Sequence, residues 1–230
     1  MVDTAVTQLS SHQSIRIPPL ESGDRLSRQE FERRYQAMPE VKKAELVEGV
    51  VYIASPVRFR SHAQPHSYLM GWLGTYQVAT PKVKLGANPT VRLDLDNEVQ
   101  PDAVLLIAGG RSHISTDDYI EGAPELVVEV AASSAANDLH DKKKVYRRSG
   151  VQEYIVWQTF DNNLDWFSLQ QGEYVTLVAD ADGVVQSLVF PGLWLAVSAL
   201  LAGDMSKVLA VLQMGLNSSG HQEFIKILSK

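Results

Sequence analysis

The 230-residue sequence contains no cysteine, so disulfide frameworks, thiolate zinc sites and cysteine nucleophiles are excluded, and any metal must sit on oxygen or imidazole ligands. It also lacks a long apolar run; none approaches the roughly 18 to 20 residues of a membrane-spanning helix. Nor is there an excess of positive charge. Lys and Arg total 21 against 27 Asp and Glu, a formal net charge of -6, and this weighs against a protein whose main task is to coat nucleic acid, since phosphate contacts need cations. A nuclease is not excluded, because a site that gathers carboxylates around a divalent cation is acidic by construction and a local basic rim can coexist with a negative total. The opening Met1-Val2-Asp3-Thr4 carries an early acid instead of the basic start and apolar stretch of a secretory signal, and the expected location is the cytoplasm. There is no internal repeat and no low-complexity segment.

The composition is that of an ordinary globular protein, with 45% hydrophobic and 21% charged residues, enough for one large domain with a buried core. Residues 1–24, polar and containing Pro18-Pro19 and Gly23, read as a flexible arm. The main domain is expected over 25–204. Ser27 followed by Glu30 forms a capping box for a helix that carries Phe31 and Tyr35 and stops before Pro39. Residues 44–54 alternate around Gly49 as a hairpin, and 61–79 spaces Tyr68, Leu69, Trp72, Leu73 and Tyr76 as an amphipathic helix. Strands are expected at 82–86, 90–95, 102–107, 126–131, 152–158, 163–169 and 173–179, with a helix from Asp138 to Ser149 closed by Gly150. Residues 193–212 read as an apolar helix and 217–220 as part of a polar tail. Residues 205–230 are expected to be a helical or flexible extension.

Three residues carry the chemistry. In a strand Leu126-Val127-Val128-Glu129-Val130-Ala131, Glu129 shares its face with Val127 and Ala131. A carboxylate among apolar neighbours costs several kcal/mol unless paired, protonated or metal-bound, and the alternative is an edge-strand glutamate facing water. Asp102 follows Pro101 at the start of Ala103-Val104-Leu105-Leu106-Ile107, where proline is tolerated; two acids on neighbouring strands can hold a hard cation. On the helix from Asp138, the apolar positions Leu139, Val145 and Tyr146 define the inward face. At 100° per residue Lys142 lies near its middle, Lys143 beside it and Lys144 away from it. The competing reading of Lys142 is a surface i,i+4 pair with Asp138.

In order, the series Glu45-Leu46-Val47-Glu48-Gly49, Ser55-Pro56, His62, Pro101-Asp102-Ala103-Val104, Pro124-Glu125-Leu126-Val127-Val128-Glu129-Val130, Asp138-Leu139-His140-Asp141-Lys142 with Tyr146, and Gly150-Val151-Gln152-Glu153-Tyr154 resembles the Uma2 family, formerly DUF820, of the restriction-endonuclease-like PD-(D/E)xK superfamily. The resemblance spans roughly residues 30 to 202. It implies an α/β fold with a restriction-endonuclease-like core, a central mixed β-sheet flanked by helices. It also implies Mg²⁺ or Mn²⁺ held by Asp102 and Glu129 with support from Glu45, and a catalytic lysine. The superfamily lysine stands two residues after the second acid, where this chain has Ala131; the resemblance places it on the following helix, at Lys142. His62 matches a recurrent family position.

The leading expectation is therefore a Mg²⁺-dependent endonuclease hydrolysing DNA phosphodiester bonds, with Asp102, Glu129, Glu45 and Lys142 as its catalytic set. Arg147, Arg148, Arg58, Arg60 and His62 are the candidate nucleic-acid contacts. The alternative is a catalytically silent nuclease fold that binds nucleic acid or a protein partner, paired as a homodimer through the aromatic helix 61–79 or the C-terminal segment. A serine hydrolase built on Ser133 or Ser134 with His140 is a poor third, since neither serine sits on a nucleophile elbow. No membrane partner is expected.

Overall fold

The computed structural model describes residues 17–132 and 138–230; Ser133 and Ser134 lie outside the described residues. Helix α1 (Arg28–Gln36) is capped as expected, with Ser27 Oγ accepting from the Glu30 amide. It buries Phe31 against Leu20, Leu46 and Val51. The hairpin β1 (Ala44–Val47) and β2 (Val50–Ile53) turns at Glu48-Gly49, both with positive φ, a conformation that glycine adopts without steric cost. A π-helical turn, Phe59–Ala63, leads into α2 (Gln64–Ala79) with Pro65 in the first turn.

The strands that follow are β3 (Val83–Ala87), β4 (Val91–Arg92), β5 (Glu98–Val99), β6 (Ala103–Ile107), β7 (His113–Ile114), β8 (Ile120–Glu121) and β9 (Leu126–Ala131). A second π-helical turn (Asp138–Lys142) continues into α3 (Lys143–Ser149), which ends in left-handed Gly150. Next come β10 (Glu153–Gln158), β11 (Asn163–Gln170), β12 (Glu173–Thr176), β13 (Val184–Gln186) and β14 (Trp194–Ala196). Helices α4 (Val197–Leu201), α5 (Met205–Leu216) and α6 (Ser219–Leu228) close the chain.

The central sheet is mixed, in the order β12-β11-β10-β9-β6-β3, with β9 and β10 parallel and the other pairs antiparallel. A second sheet of six short strands, β2-β1-β5-β4-β8-β7, lies beside it. Alternation along β9 divides the interior. Leu126, Val128 and Val130 face a core shared with α2 and the C-terminal helices, whereas Val127 and Ala131 face a core shared with Val145, Tyr146 and Tyr154. Central strands buried on both faces are what a near-continuous apolar run predicts.

Three expectations need correction. The arm read over 1–24 does not hold for its last part: Leu20 is buried, and the Gly23 amide donates to Val51 O while Val51 N donates to Asp24 O, so residues 20–24 are stitched to β2. Residues 193–212 are not one helix. The segment runs as β14, α4 and the first part of α5, with Gly203 at φ 75° between the helices. Leu193 and Leu195 are apolar because they sit in the core beside α2, and periodicity alone does not separate a short buried strand from a helix. The polar stretch at 217–220 is no tail but a helix start, with Ser218 Oγ accepting from the His221 amide.

Residues 205–230 take the helical form and belong to the main core: Val208, Leu212, Leu216 and Leu228 join the cluster of Trp72, Tyr76 and Leu195. His221 is buried between Leu216 O and Thr80 Oγ1 at 2.9 Å each. No described helix is long and apolar enough to cross a membrane.

Since Leu212 is fully buried and Leu209 on the same helix is 37% exposed, Leu212→Ala is expected to destabilise the protein by about 2–5 kcal/mol and Leu209→Ala by less than about 1 kcal/mol. Urea unfolding of the two variants checks this. Equal small effects would mean that α5 is an appendage.

Candidate active site

The chain crosses from the smaller sheet to the central one through Gln100-Pro101-Asp102, between β5 and β6. This crossing builds the site. The β6–β9 pairing ends at Ala103 opposite Val128, and beyond it the Val130 amide donates to Asp102 Oδ2 at 2.7 Å. The Asp102 carboxylate thus replaces the missing strand and is fixed in place by it. Its backbone carbonyl is held as well, by the Asn88 amide at 3.1 Å and His66 Nε2 at 2.9 Å. Lys43 Nζ lies 3.6 Å from Oδ1, and His62 Nε2 lies 3.3 Å from Oδ2. Oδ1 is shielded from solvent and has no hydrogen-bond partner among the described residues. Burial alone would raise this carboxyl. The contacts of His62, Lys43 and the Val130 amide outweigh it and hold the group well below the usual range, so Asp102 is an anion at any physiological pH.

Glu129 stands on the α3 side of β9, two residues from Val127 and opposite Val156 of β10. It is 3% exposed; the edge-strand alternative is excluded. Its Oε1 receives Lys142 Nζ at 2.7 Å and the Tyr146 hydroxyl at 2.8 Å. Lys142, 2% exposed, also donates to Glu45 Oε1 at 2.9 Å and Oε2 at 3.1 Å, and lies 3.7 Å from Asp138 Oδ1. The Asp138–Lys142 pair is therefore real but buried, one edge of a larger cluster. Glu45 on β1 in turn accepts from the Gln100 amide at 2.7 Å, which ties the smaller sheet to the crossing segment.

The helical-face reading of the three lysines holds. Lys142 is inside, Lys143 is half-buried with Nζ 3.4 Å from the centre of the Phe167 ring, and Lys144 is exposed. Sequence reasoning did not find Lys43 or His66 as site members. Lys43 lies just before β1 in an exposed-looking Lys42-Lys43 pair, and His66 is one turn along α2 from His62, a spacing that would have pointed to a shared face.

Electrostatics is dominated by crowding of like charge. Burial, together with Asp138, Asp102 and Glu45, pushes the Glu129 carboxyl up to about 8 against the pull of Lys142. The same anions hold the Lys142 ammonium well above its usual range despite burial, so the lysine stays charged and the cluster shares a proton among its acids. Counted as ionised, the four carboxylates of Glu45, Asp102, Glu129 and Asp138 face two ammoniums, Lys142 and Lys43, an excess of two negative charges.

The donor chemistry suits a hard divalent cation: buried carboxylate oxygens that outnumber the nearby ammoniums, and at Asp102 Oδ1 an anionic acceptor with no hydrogen-bond donor among the described residues. Among the described residues no three His, Asp or Glu side chains stand in a finished ligating arrangement; the Lys142 ammonium instead occupies the space where Glu45 and Glu129 meet.

The other candidates fall into two groups. Arg147 reaches Gly172 O and Glu173, and Arg148 and Lys144 both pair with Glu48, so two carboxylates offset most of the charge of these three cations. Arg58 and Arg60 are exposed and make no ion pair among the described residues.

A mixed sheet that carries an aspartate at one strand start, a glutamate in the antiparallel neighbouring strand and a lysine folded back onto that glutamate fits the restriction-endonuclease-like class of α/β domain. The chain belongs to the Uma2 family, described as "Putative restriction endonuclease", which matches residues 28–198. A crystal structure of a "putative nuclease belonging to DUF820" from Anabaena variabilis shares the fold with a TM-score of 0.56 at 15% identity, covering 74% of this chain and 96% of that one. No curated protein matches the sequence.

The proton on Glu129 gives a pH signature. Its folded pKa lies above its unfolded one, so both states hold the proton below about 4.5, and between about 4.5 and 8 only the folded state keeps it. Its contribution to stability is thus fully present at low pH and is lost as pH rises through that window. In the metal-free protein, wild type is expected to lose stability relative to Glu129→Gln as pH increases from 5 to 8, with a slope of at most about 1.4 kcal/mol per pH unit. Denaturant unfolding at several pH values checks it; parallel curves would show that Glu129 is ionised throughout as the partner of Lys142.

Proposed function

We propose that the protein is a Mg²⁺- or Mn²⁺-dependent endodeoxyribonuclease. The observation that carries the reading is four buried acids, Glu45, Asp102, Glu129 and Asp138, gathered beside the buried ammonium of Lys142, with Asp102 Oδ1 facing Lys43 at 3.6 Å but lacking a hydrogen-bond donor among the described residues.

Asp102 and Glu129, with Glu45 in support, would hold the cation. Bound there, it would polarise a phosphate oxygen and lower the pKa of a coordinated water. The chain's own groups prepare the site. The Val130 amide fixes the Asp102 carboxylate, and its low pKa keeps it ready as an anion without a proton to displace. Glu129 by contrast must give up its proton to serve as a ligand, so cation affinity should increase towards pH 8. Lys142 binds Glu45 and Glu129 together and neutralises part of their repulsion. With a cation held by these carboxylates, the Lys142 ammonium would be the group placed to orient water or to stabilise charge developing on the scissile phosphate.

Arg58 and Arg60 are better placed than Arg147 and Arg148 to meet DNA phosphates, since the latter already spend their charge on Glu173 and Glu48. The cytoplasm and a DNA substrate remain the consistent setting for this chemistry.

Asp102→Asn keeps the shape and an oxygen for the Val130 amide but removes the charge. It is expected to reduce cleavage of DNA in Mg²⁺ or Mn²⁺ by a factor of about one hundred or more while leaving thermal stability close to wild type. Cation binding followed by titration calorimetry should be lost in parallel. Unchanged binding and cleavage would sink the assignment, and absence of cleavage and cation binding in the wild type itself would favour a catalytically silent module.

Lys144→Ala provides the electrostatic control: it should alter only salt-dependent binding, by a small factor. Lys142→Ala strands buried carboxylates and is expected to cost about 3–5 kcal/mol of stability as well as activity, measured by unfolding beside the cleavage assay.

A further inference from the structure

The segment Val57-Arg58-Phe59-Arg60 alternates apolar and cationic side chains, and all four are exposed. Val57 is 63% and Phe59 70% exposed, an unusual placement for residues that bury readily. The segment is not remote from the site. It enters the π-helical turn Phe59–Ala63, where His62 lies 3.3 Å from the Asp102 carboxylate.

It is also clamped to the turn between β10 and β11. Thr159 Oγ1 donates to Ser61 O at 2.8 Å, and the next residue, Phe160, is 65% exposed. Two projecting aromatic rings thus stand on two loops joined by one hydrogen bond, at the edge of the carboxylate site. Beside this hydrogen bond lies a cleft of about 280 Å³ lined by Arg60, Gln64, Tyr68, Trp157, Thr159 and Asn162. It offers a guanidinium, two amide side chains and two aromatic side chains.

Charge decides among occupants. Arg58 and Arg60 have no ion-pair partner among the described residues, whereas Lys144, Arg147 and Arg148 have theirs. Free guanidiniums alternating with exposed rings match a backbone of phosphates alternating with flat bases. A duplex keeps its bases stacked inside and offers them no ring faces; unpaired nucleotides do. We propose that the lip formed by Arg58, Phe59, Arg60 and Phe160 binds unpaired nucleotides of DNA, stacking bases on the two phenylalanines and pairing phosphates with the two arginines. On this reading, the preferred substrate of the site is single-stranded DNA or a duplex with an unpaired segment. The proposal rests on the nuclease reading for its biological meaning but is tested by binding alone.

The experiment is fluorescence anisotropy with a labelled oligothymidylate and a labelled duplex of equal length, in EDTA so that no cleavage intervenes. The proteins are the wild type, Phe59→Ala/Phe160→Ala, Phe59→Trp and Arg58→Ala/Arg60→Ala, each verified by thermal melting. The double phenylalanine variant should bind oligothymidylate about tenfold or more weakly, with a change of less than about threefold on duplex, as loss of two stacking platforms predicts. Phe59→Trp should retain binding. The double arginine variant should lower the salt dependence by about one to two charges. An equal loss on both probes, or no loss on either, would overturn the lip.

Failure of the nuclease reading looks different. Oligothymidylate binding that depends on Phe59 and Phe160 without any cleavage in Mg²⁺ or Mn²⁺ would remove the enzyme and support the lip. Cleavage with unaltered binding in the phenylalanine variant would do the reverse.

Discussion

The ammonium of Lys142 is the contact on which the rest of the site depends. It is buried, and it joins an acid from the small sheet, an acid from the central sheet and an acid from its own helical turn. Burying a charged group is costly unless its partners are close and their remaining lone pairs are met. Here they are met by the Gln100 amide for Glu45 and the Tyr146 hydroxyl for Glu129. The result is a joint: β1, β9 and the start of α3 are held together through one nitrogen. A lysine that follows β9 in the next helical turn thus reaches the same buried glutamate that a strand lysine two residues after it would flank. Ala131 at that strand position is buried among Val127 and Val156, and what enters the cluster there comes from α3.

Asp102 and Glu129 illustrate how one environment assigns opposite states to two carboxyls. Both are buried. Asp102 receives an amide, a lysine and a histidine and is held low; Glu129 is surrounded by three other acids and is pushed up. Such a split is frequent where acids are assembled for chemistry, although structural ion-pair networks produce it as well. What separates the two cases here is Asp102 Oδ1. A purely structural network satisfies its buried acceptors, and this oxygen, 3.6 Å from Lys43 Nζ, receives no hydrogen bond among the described residues.

Much of this was legible in the sequence because burial and periodicity are local. Glu129 betrays itself by the apolar residues on both sides, and Lys142 by its angle from Leu139, Val145 and Tyr146. Asp102 does not; a Pro-Asp pair is usually a turn, and only its place in an ordered series singled it out. Lys43, Asp138 as a buried member and His66 were hidden for a physical reason. Lys43 and His66 owe their roles to Asp102 in the crossing between two sheets, and Asp138, although only four residues from Lys142, is buried because that lysine is drawn to Glu45 and Glu129 on other strands. Neither long-range event is recorded in a window of residues. The apolar run at 193–212 misled for the converse reason, since a short strand and a helix that share one core carry the same composition.

Distribution of charge, more than its total, reconciles an acidic protein with a phosphate-bearing substrate. The excess of negative charge is partly sequestered at the carboxylate cluster and partly spent on neutralising the basic face of α3, through Glu48 and Glu173. Arg58 and Arg60 are among the exposed cations that make no ion pair among the described residues, and they lie within four residues of His62. On the nuclease reading proposed above, a net charge of -6 is no obstacle, because a polyanion responds to the local charge it meets, and the two exposed guanidiniums near His62 would supply such a patch close to Asp102 whatever the total.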